Sequence, residues 1–160
     1  MNFVIHAFST VMMLVVALSS QAAAFIVKEC NFSVDLPDVT SPQKLPDSTT
    51  DTGAIYILQH GTWAYAMSCN KYKAAPGNTD AALNAAQGRL KGAIRSSRKV
   101  TAAGKPGRDV DLTTARGSIA RYRFVYSGAT QYTIALTVPA DEATSPKVNA
   151  YFDSFRLTGG

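Results

Sequence analysis

Between residues 107 and 138 apolar side chains recur at every second position. The series runs Val110 and Leu112, then Ala120, Tyr122, Phe124 and Tyr126, then Tyr132, Ile134, Leu136 and Val138. Successive side chains of a strand point to opposite faces, so this alternation predicts three consecutive antiparallel strands. The residues between them (Asp109, Asp111, Arg121, Arg123, Gln131, Thr133 and Thr137) are polar, which predicts one apolar face and one wetter face. Ala115-Arg116-Gly117 predicts a three-residue hairpin loop with Gly117 in the left-handed position. That loop sets Asp111 opposite Arg121 and Asp109 opposite Arg123, each pair contributing ~0.2–1 kcal/mol at an exposed position. With arginines standing opposite, the Asp109-x-Asp111 spacing reads as structural rather than as a metal or acid/base pair. The next turn, around Ser127–Thr130, needs an odd-length loop or a bulge if the tyrosines of both strands are to share a face.

Upstream, Phe25 to Leu36 predicts one opening strand, ended by Pro37. Asp38 to Gly53 is rich in Pro, Ser, Thr and Asp without apolar period, the composition of an exposed loop. Ala54–Leu58 and Thr62–Tyr72 predict a hairpin turning at His60-Gly61. Trp63, Tyr65, Met67 and Cys69 share one face of its second arm, as a core stripe or, alternatively, as the wall of a ligand pocket. Asn78 or Thr79 caps a helix in which Leu83, Ala86, Leu90, Ala93 and Ile94 follow helical spacing. Lys91, Arg95 and Arg98 then lie on its outer face, and Gly88 and Gly92 weaken it by about 1 kcal/mol each. Val100–Ala103 predicts a short strand turned by Gly104–Gly107 into the meander. Near the end Ser145 caps a last helix with Pro146 at its first position, and Val148, Tyr151, Phe152 and Phe155 form its apolar stripe.

The apolar run Val11–Leu18 followed by Ala22-Ala23-Ala24 predicts a secretory signal peptide over residues 1–24. The expected product is a single domain over 25–160, periplasmic or secreted from a bacterium, with no transmembrane span. A retained N-terminal anchor is the alternative. Export changes how Cys30 and Cys69 read: in an oxidising compartment they are candidates for a disulfide, with two buried free thiols as the alternative. The formal net charge is +5. From Ala81 through Gly107 there is no acidic residue, and Lys91, Arg95, Arg98, Lys99 and Lys105 form a candidate anion-binding patch or a solvated face.

The closing segment Tyr151-Phe152-Asp153-Ser154-Phe155-Arg156-Leu157 resembles the ending of the PsbP-like and DcrB-like proteins. The order of elements is similar as well: a strand ending in Leu36-Pro37, a helix near 79–95, the Gly104-x-x-Gly107 turn and Tyr132 in the penultimate strand. The resemblance implies an α+β fold, an antiparallel sheet flanked by helices on both faces in an αβα sandwich. It also implies a scaffold that docks on partners, since members of the family share no reaction. No functional residue carries over from it, because the matched positions are structural.

Motifs for chemistry are sparse. There is no Gly-x-Ser-x-Gly elbow, His-Glu-x-x-His pair, phosphate-binding loop or clustered Cys/His spacing, so no catalytic residue, metal site or cofactor is assigned. His60 reads as a surface turn residue. Three functions follow. The first is a non-enzymatic envelope protein serving as a protein-binding or accessory module. The second is an anion- or lipid-headgroup-binding module using the basic residues. The third is a small-molecule or hydrolytic pocket lined by Trp63, Tyr65 and Tyr122. Nucleic acid is a poor partner outside the cytoplasm.

Overall fold

Gly117, at φ +79°, closes the loop that joins β7 (Lys105–Thr113) to β8 (Ile119–Ser127) in the predicted register. Asp109 pairs with Arg123, Val110 with Tyr122 and Asp111 with Arg121. The Thr114 amide donates to the Ser118 carbonyl at 2.9 Å. This is a computed structural model, and it describes residues 22–37, 41–46 and 53–159. The signal-peptide reading over residues 1–24 lies outside them except at its last three positions.

Around that hairpin stand β1 (Ala23–Val27), β2 (Phe32–Leu36), β3 (Gln43–Leu45), β4 (Gly53–His60) and β5 (Trp63–Lys71). The chain continues through α1 (Thr79–Gly88), β6 (Ala93–Ala102), β9 (Thr130–Val138), α2 (Pro146–Asp153) and β10 (Arg156–Leu157). Seven strands form one sheet in the order β3-β4-β5-β9-β8-β7-β6, and a second sheet of three has the order β1-β2-β10. Every pairing is antiparallel. The fold class is therefore α+β, mostly antiparallel sheet with two α-helices among the described residues.

Neighbouring β8 residues enter two different clusters. Phe124 packs with Val110 and Tyr126 against Leu83 and Ala86 of α1. Val125 joins Tyr132, Ile134, Leu136 and Val138 against Val148, Tyr151 and Phe152 of α2, together with Phe32 and Val34 of β2. The expected single apolar face is thus corrected. The β8–β9 turn has two residues, Gly128 and Ala129, with Ser127 opposite Thr130 and Gly128 at φ +58°. A two-residue turn sets Val125, not Tyr126, beside Tyr132, so the tyrosines of the two strands lie on opposite faces. Both faces are apolar over this part of the sheet because both are covered. Farther along, Ile55 and Ile57 share the Phe124 face through their cross-strand partners, and both remain exposed.

Three further expectations are revised. The opening strand is two: Lys28–Cys30 makes a 3-10 turn, and Asn31 at φ +54° reverses the chain so that β2 pairs back on β1. The expected loop before Gly53 contributes an edge strand, β3, while residues 38–40 and 47–52 lie outside the described set. The helix stops at Gly88, and Ala93 and Ile94 belong to β6, ten residues long instead of four. Gly92 explains the change, for its φ of +135° is not helical, and a Cβ there would lie 2.8 Å from both the Leu112 side chain and the Thr113 carbonyl. Asn78 is the cap, its side chain accepting from the Ala81 amide at 3.0 Å.

Candidate functional site

At one end of the sheet the β4–β5 turn and the start of α2 face each other across an open cleft of about 520 Å³. The hairpin side is set by Gly61, whose φ of +58° closes the turn between His60 and Trp63. Gln59 braces the turn by donating to the Gly61 carbonyl at 2.8 Å. Alternation along β5 then puts Trp63 and Tyr65 on the same face as Met67 and Cys69.

On the other side, Ser145 caps α2 by accepting from the Lys147 amide, and Pro146 stands in the first turn. The helix is locked to β2 through Ser154, whose hydroxyl accepts from the Asp35 amide at 2.8 Å and donates to the Tyr151 carbonyl at 2.6 Å. That places Asp35 and Pro37 on the cleft rim and Tyr151 at its base, where the Tyr151 and Tyr65 rings meet edge to face at 5.1 Å. The two walls are joined directly: the Trp63 indole N–H donates to Glu142 Oε2 at 2.6 Å. Below them the Cys30–Cys69 disulfide ties β5 to the 3-10 turn. The expectation of a disulfide between these cysteines holds.

The ionisable groups of the cleft are Asp35, Glu142, Lys147 and His60. None of them forms an ion pair among the described residues. The two tyrosines hold their protons firmly. Burial pushes Tyr65 up to about 12, and burial followed by the charge of Tyr65 pushes Tyr151 higher still. Neither is therefore a phenolate nucleophile near neutral pH. The His60 ring makes no hydrogen bond to another described residue, and a triad-type base needs an orienting partner. Among the described residues no three His, Cys, Asp or Glu side chains cluster in a way that would hold a metal ion. What the arrangement offers is an aromatic wall, held by the Trp63–Glu142 hydrogen bond and the Tyr65–Tyr151 contact, with ionisable side chains in the same lining.

Trp63 and Tyr65 line this cleft as the pocket reading requires, and Tyr122 does not. Tyr122 stacks on Phe124 at 6.1 Å on the α1 side, because it is out of phase with the residues that join the α2 cluster. His60, expected as a surface turn residue, lies in the cleft lining, and Asp35, Glu142 and Lys147 join it there without any local sequence signal.

The five basic candidates are not on a helix face. Lys91 precedes β6, Arg95 sits at its bulge, and Lys105 opens β7 at the far end of the β6–β7 hairpin. Arg98 and Lys99 are adjacent in a strand and point to opposite sides, Arg98 to Asp109 at 2.9 Å and Lys99 to Asp80 at 2.6 Å. Nine steps of extended chain separate the ends of β6, about 30 Å, so the set spans the hairpin rather than converging.

The arrangement of the sheet and helices invites comparison with known folds. The solution structure of cyanobacterial PsbP (CyanoP) from Synechocystis sp. PCC 6803 superposes with a TM-score of 0.59 at 9% identity, covering 87% of this chain and 94% of that one. The fold is PsbP-like. A crystal structure from Bacteroides thetaiotaomicron VPI-5482 superposes with a TM-score of 0.53 at 14% identity, over 86% of this chain and 48% of that one. No protein-family model and no curated protein matches the sequence. At these identities the likeness to PsbP extends to the fold alone.

Proposed function

We propose that this chain is an exported, non-enzymatic accessory module of the cell envelope that binds another protein through the Trp63 cleft. The proposal takes residues 1–24 as a signal peptide and residues 25–160 as one domain of αβα build. The observation that carries it is the cleft, open to solvent, walled by fixed aromatics and lacking an oriented nucleophile–base pair among the described residues. Export is supported by the Cys30–Cys69 disulfide, since such bonds persist in oxidising compartments. No described helix is long and apolar enough to cross a membrane. A PsbP-like fold is compatible with an accessory or binding role, although a fold by itself assigns none.

The test is affinity purification of the tagged chain after crosslinking in intact cells. One partner recovered in near-stoichiometric amount, and lost on Trp63→Ala, is the expected result. Background alone, in a strain where the chain is folded and oxidised, contradicts the proposal.

A second reading rests on Lys91, Arg95 and Lys105, which make no ion pair among the described residues. They would meet an anionic surface along the β6–β7 hairpin rather than a single headgroup in a pocket.

A further inference from the structure

We infer that the group the cleft accepts is an organic cation, an alkylammonium or guanidinium, held between the Trp63 wall and the carboxylates of Asp35 and Glu142. The inference rests on the cleft being the binding site and names the chemistry of what enters it.

Charge points the same way. The protein carries a formal net charge of +5, yet the lining of this cleft holds Asp35 and Glu142 against Lys147 as its one lysine or arginine. That balance, one negative charge in excess along the lining, favours a cation over an anion within the cleft. Neither carboxylate is neutralised by an ion pair among the described residues, and Glu142 accepts only the indole N–H, on Oε2.

The aromatic wall adds the second half of a cation site. Indole has the most favourable ring face for a cation, and the attraction grows as water is displaced. Arg121 and Arg123 already lie over the Phe152 ring elsewhere in the fold, and Lys44 lies over Tyr56. No described cation lies over Trp63. Its N–H is engaged by Glu142, which fixes the ring before any ligand arrives and places a carboxylate at its edge. Tyr65 and Tyr151, crossed at 5.1 Å beneath, close the floor with rings that remain uncharged. Preorganisation of this kind lowers the ordering cost of binding.

Trp63 is the only tryptophan in the sequence, so its fluorescence reports on this cleft alone. The full chain is titrated with choline, with a doubly blocked arginine, and with benzoate as an anion of similar size. Saturable change with choline or blocked arginine, and none with benzoate, is expected. Tighter binding of the blocked arginine assigns the cation to a partner's side chain, and tighter choline binding assigns it to a free quaternary amine. Glu142→Gln keeps an acceptor for the indole and removes the charge, so affinity should fall about tenfold with the unfolding midpoint little changed. Asp35→Asn should act in the same direction, and Lys147→Gln should tighten binding. The inference is overturned if neither cation perturbs Trp63, if benzoate binds as well as they do, or if Glu142→Gln leaves affinity unchanged. A partner still crosslinked in cells under any of those outcomes would leave the binding function standing and remove only its cationic chemistry.

Discussion

Arg123 of β8 grips Asp109 of β7 side-on through two nitrogens of its guanidinium, Nε to Oδ1 at 2.7 Å and Nη2 to Oδ2 at 2.9 Å. Its remaining nitrogen donates to the Phe152 carbonyl of α2 at 2.7 Å. The pairing is the one expected across the hairpin, but it is buried, with Asp109 at 2% and Arg123 at 7% exposure. Burial changes the energetics. Removing Asp109 leaves the buried Arg123 guanidinium only the exposed Asp153 carboxylate at 3.6 Å, and breaking a buried pair costs about 3–5 kcal/mol, whereas replacing both with apolar residues of similar volume is often neutral. Asp109→Ala should therefore lose about that much in chemical denaturation, and the double variant Asp109→Leu/Arg123→Met should recover most of it. A single variant within ~1 kcal/mol of the parent would contradict this account of the pair.

Acid should act through the same carboxylate. Burial alone would raise Asp109, but hydrogen bonds from Arg123, its charge and then Arg98 override it and hold the group below its ordinary 3.8. A depressed carboxylate contributes stability above its unfolded value, and that contribution is lost as pH falls through the lower folded value. Glu29 behaves alike: hydrogen bonding from Lys44, its main cause, lowers it to about 2 from an ordinary 4.5. Glu29→Gln should thus flatten the loss of stability between roughly pH 4.5 and pH 2. An acid unfolding curve unchanged in slope by that substitution would remove Glu29 from the explanation.

The disulfide closes a sequence separation of 39 residues and holds β5 to the 28–30 turn. In the chain-entropy picture a loop of that length stabilises by about 4 kcal/mol. Cys30→Ser/Cys69→Ser should shift the denaturation midpoint accordingly, and reductant should do the same to the parent protein. If reduction leaves the midpoint in place, the bond does not contribute in this way.

Much of the meander was legible because charge and turn chemistry agreed. Gly117 specified a loop, the loop specified a register, and two Asp–Arg pairs fell opposite one another within it. The helix was overextended since Ala93 and Ile94 satisfy helical spacing as well as strand pairing, and only the backbone at Gly92 decides between them. The β8–β9 turn was misjudged for a different reason. Both faces of this part of the sheet are covered, so Tyr126 and Tyr132 are each apolar in place and alternation cannot say which face is which. The cleft was half visible: Trp63 and Tyr65 stand in one stripe, but Asp35, Glu142 and Lys147 reach them only through tertiary packing of β2 and α2. Nothing local to those three residues marks them.

The most direct test of the binding role is site-specific photo-crosslinking in living cells, with the photoreactive residue placed at Thr62 on the cleft rim or at Lys105 at the far end of the β6–β7 hairpin. Both positions are exposed. The account predicts one discrete crosslinked species from position 62 and none from position 105. A discrete species from position 105 alone, or none from either, would contradict it.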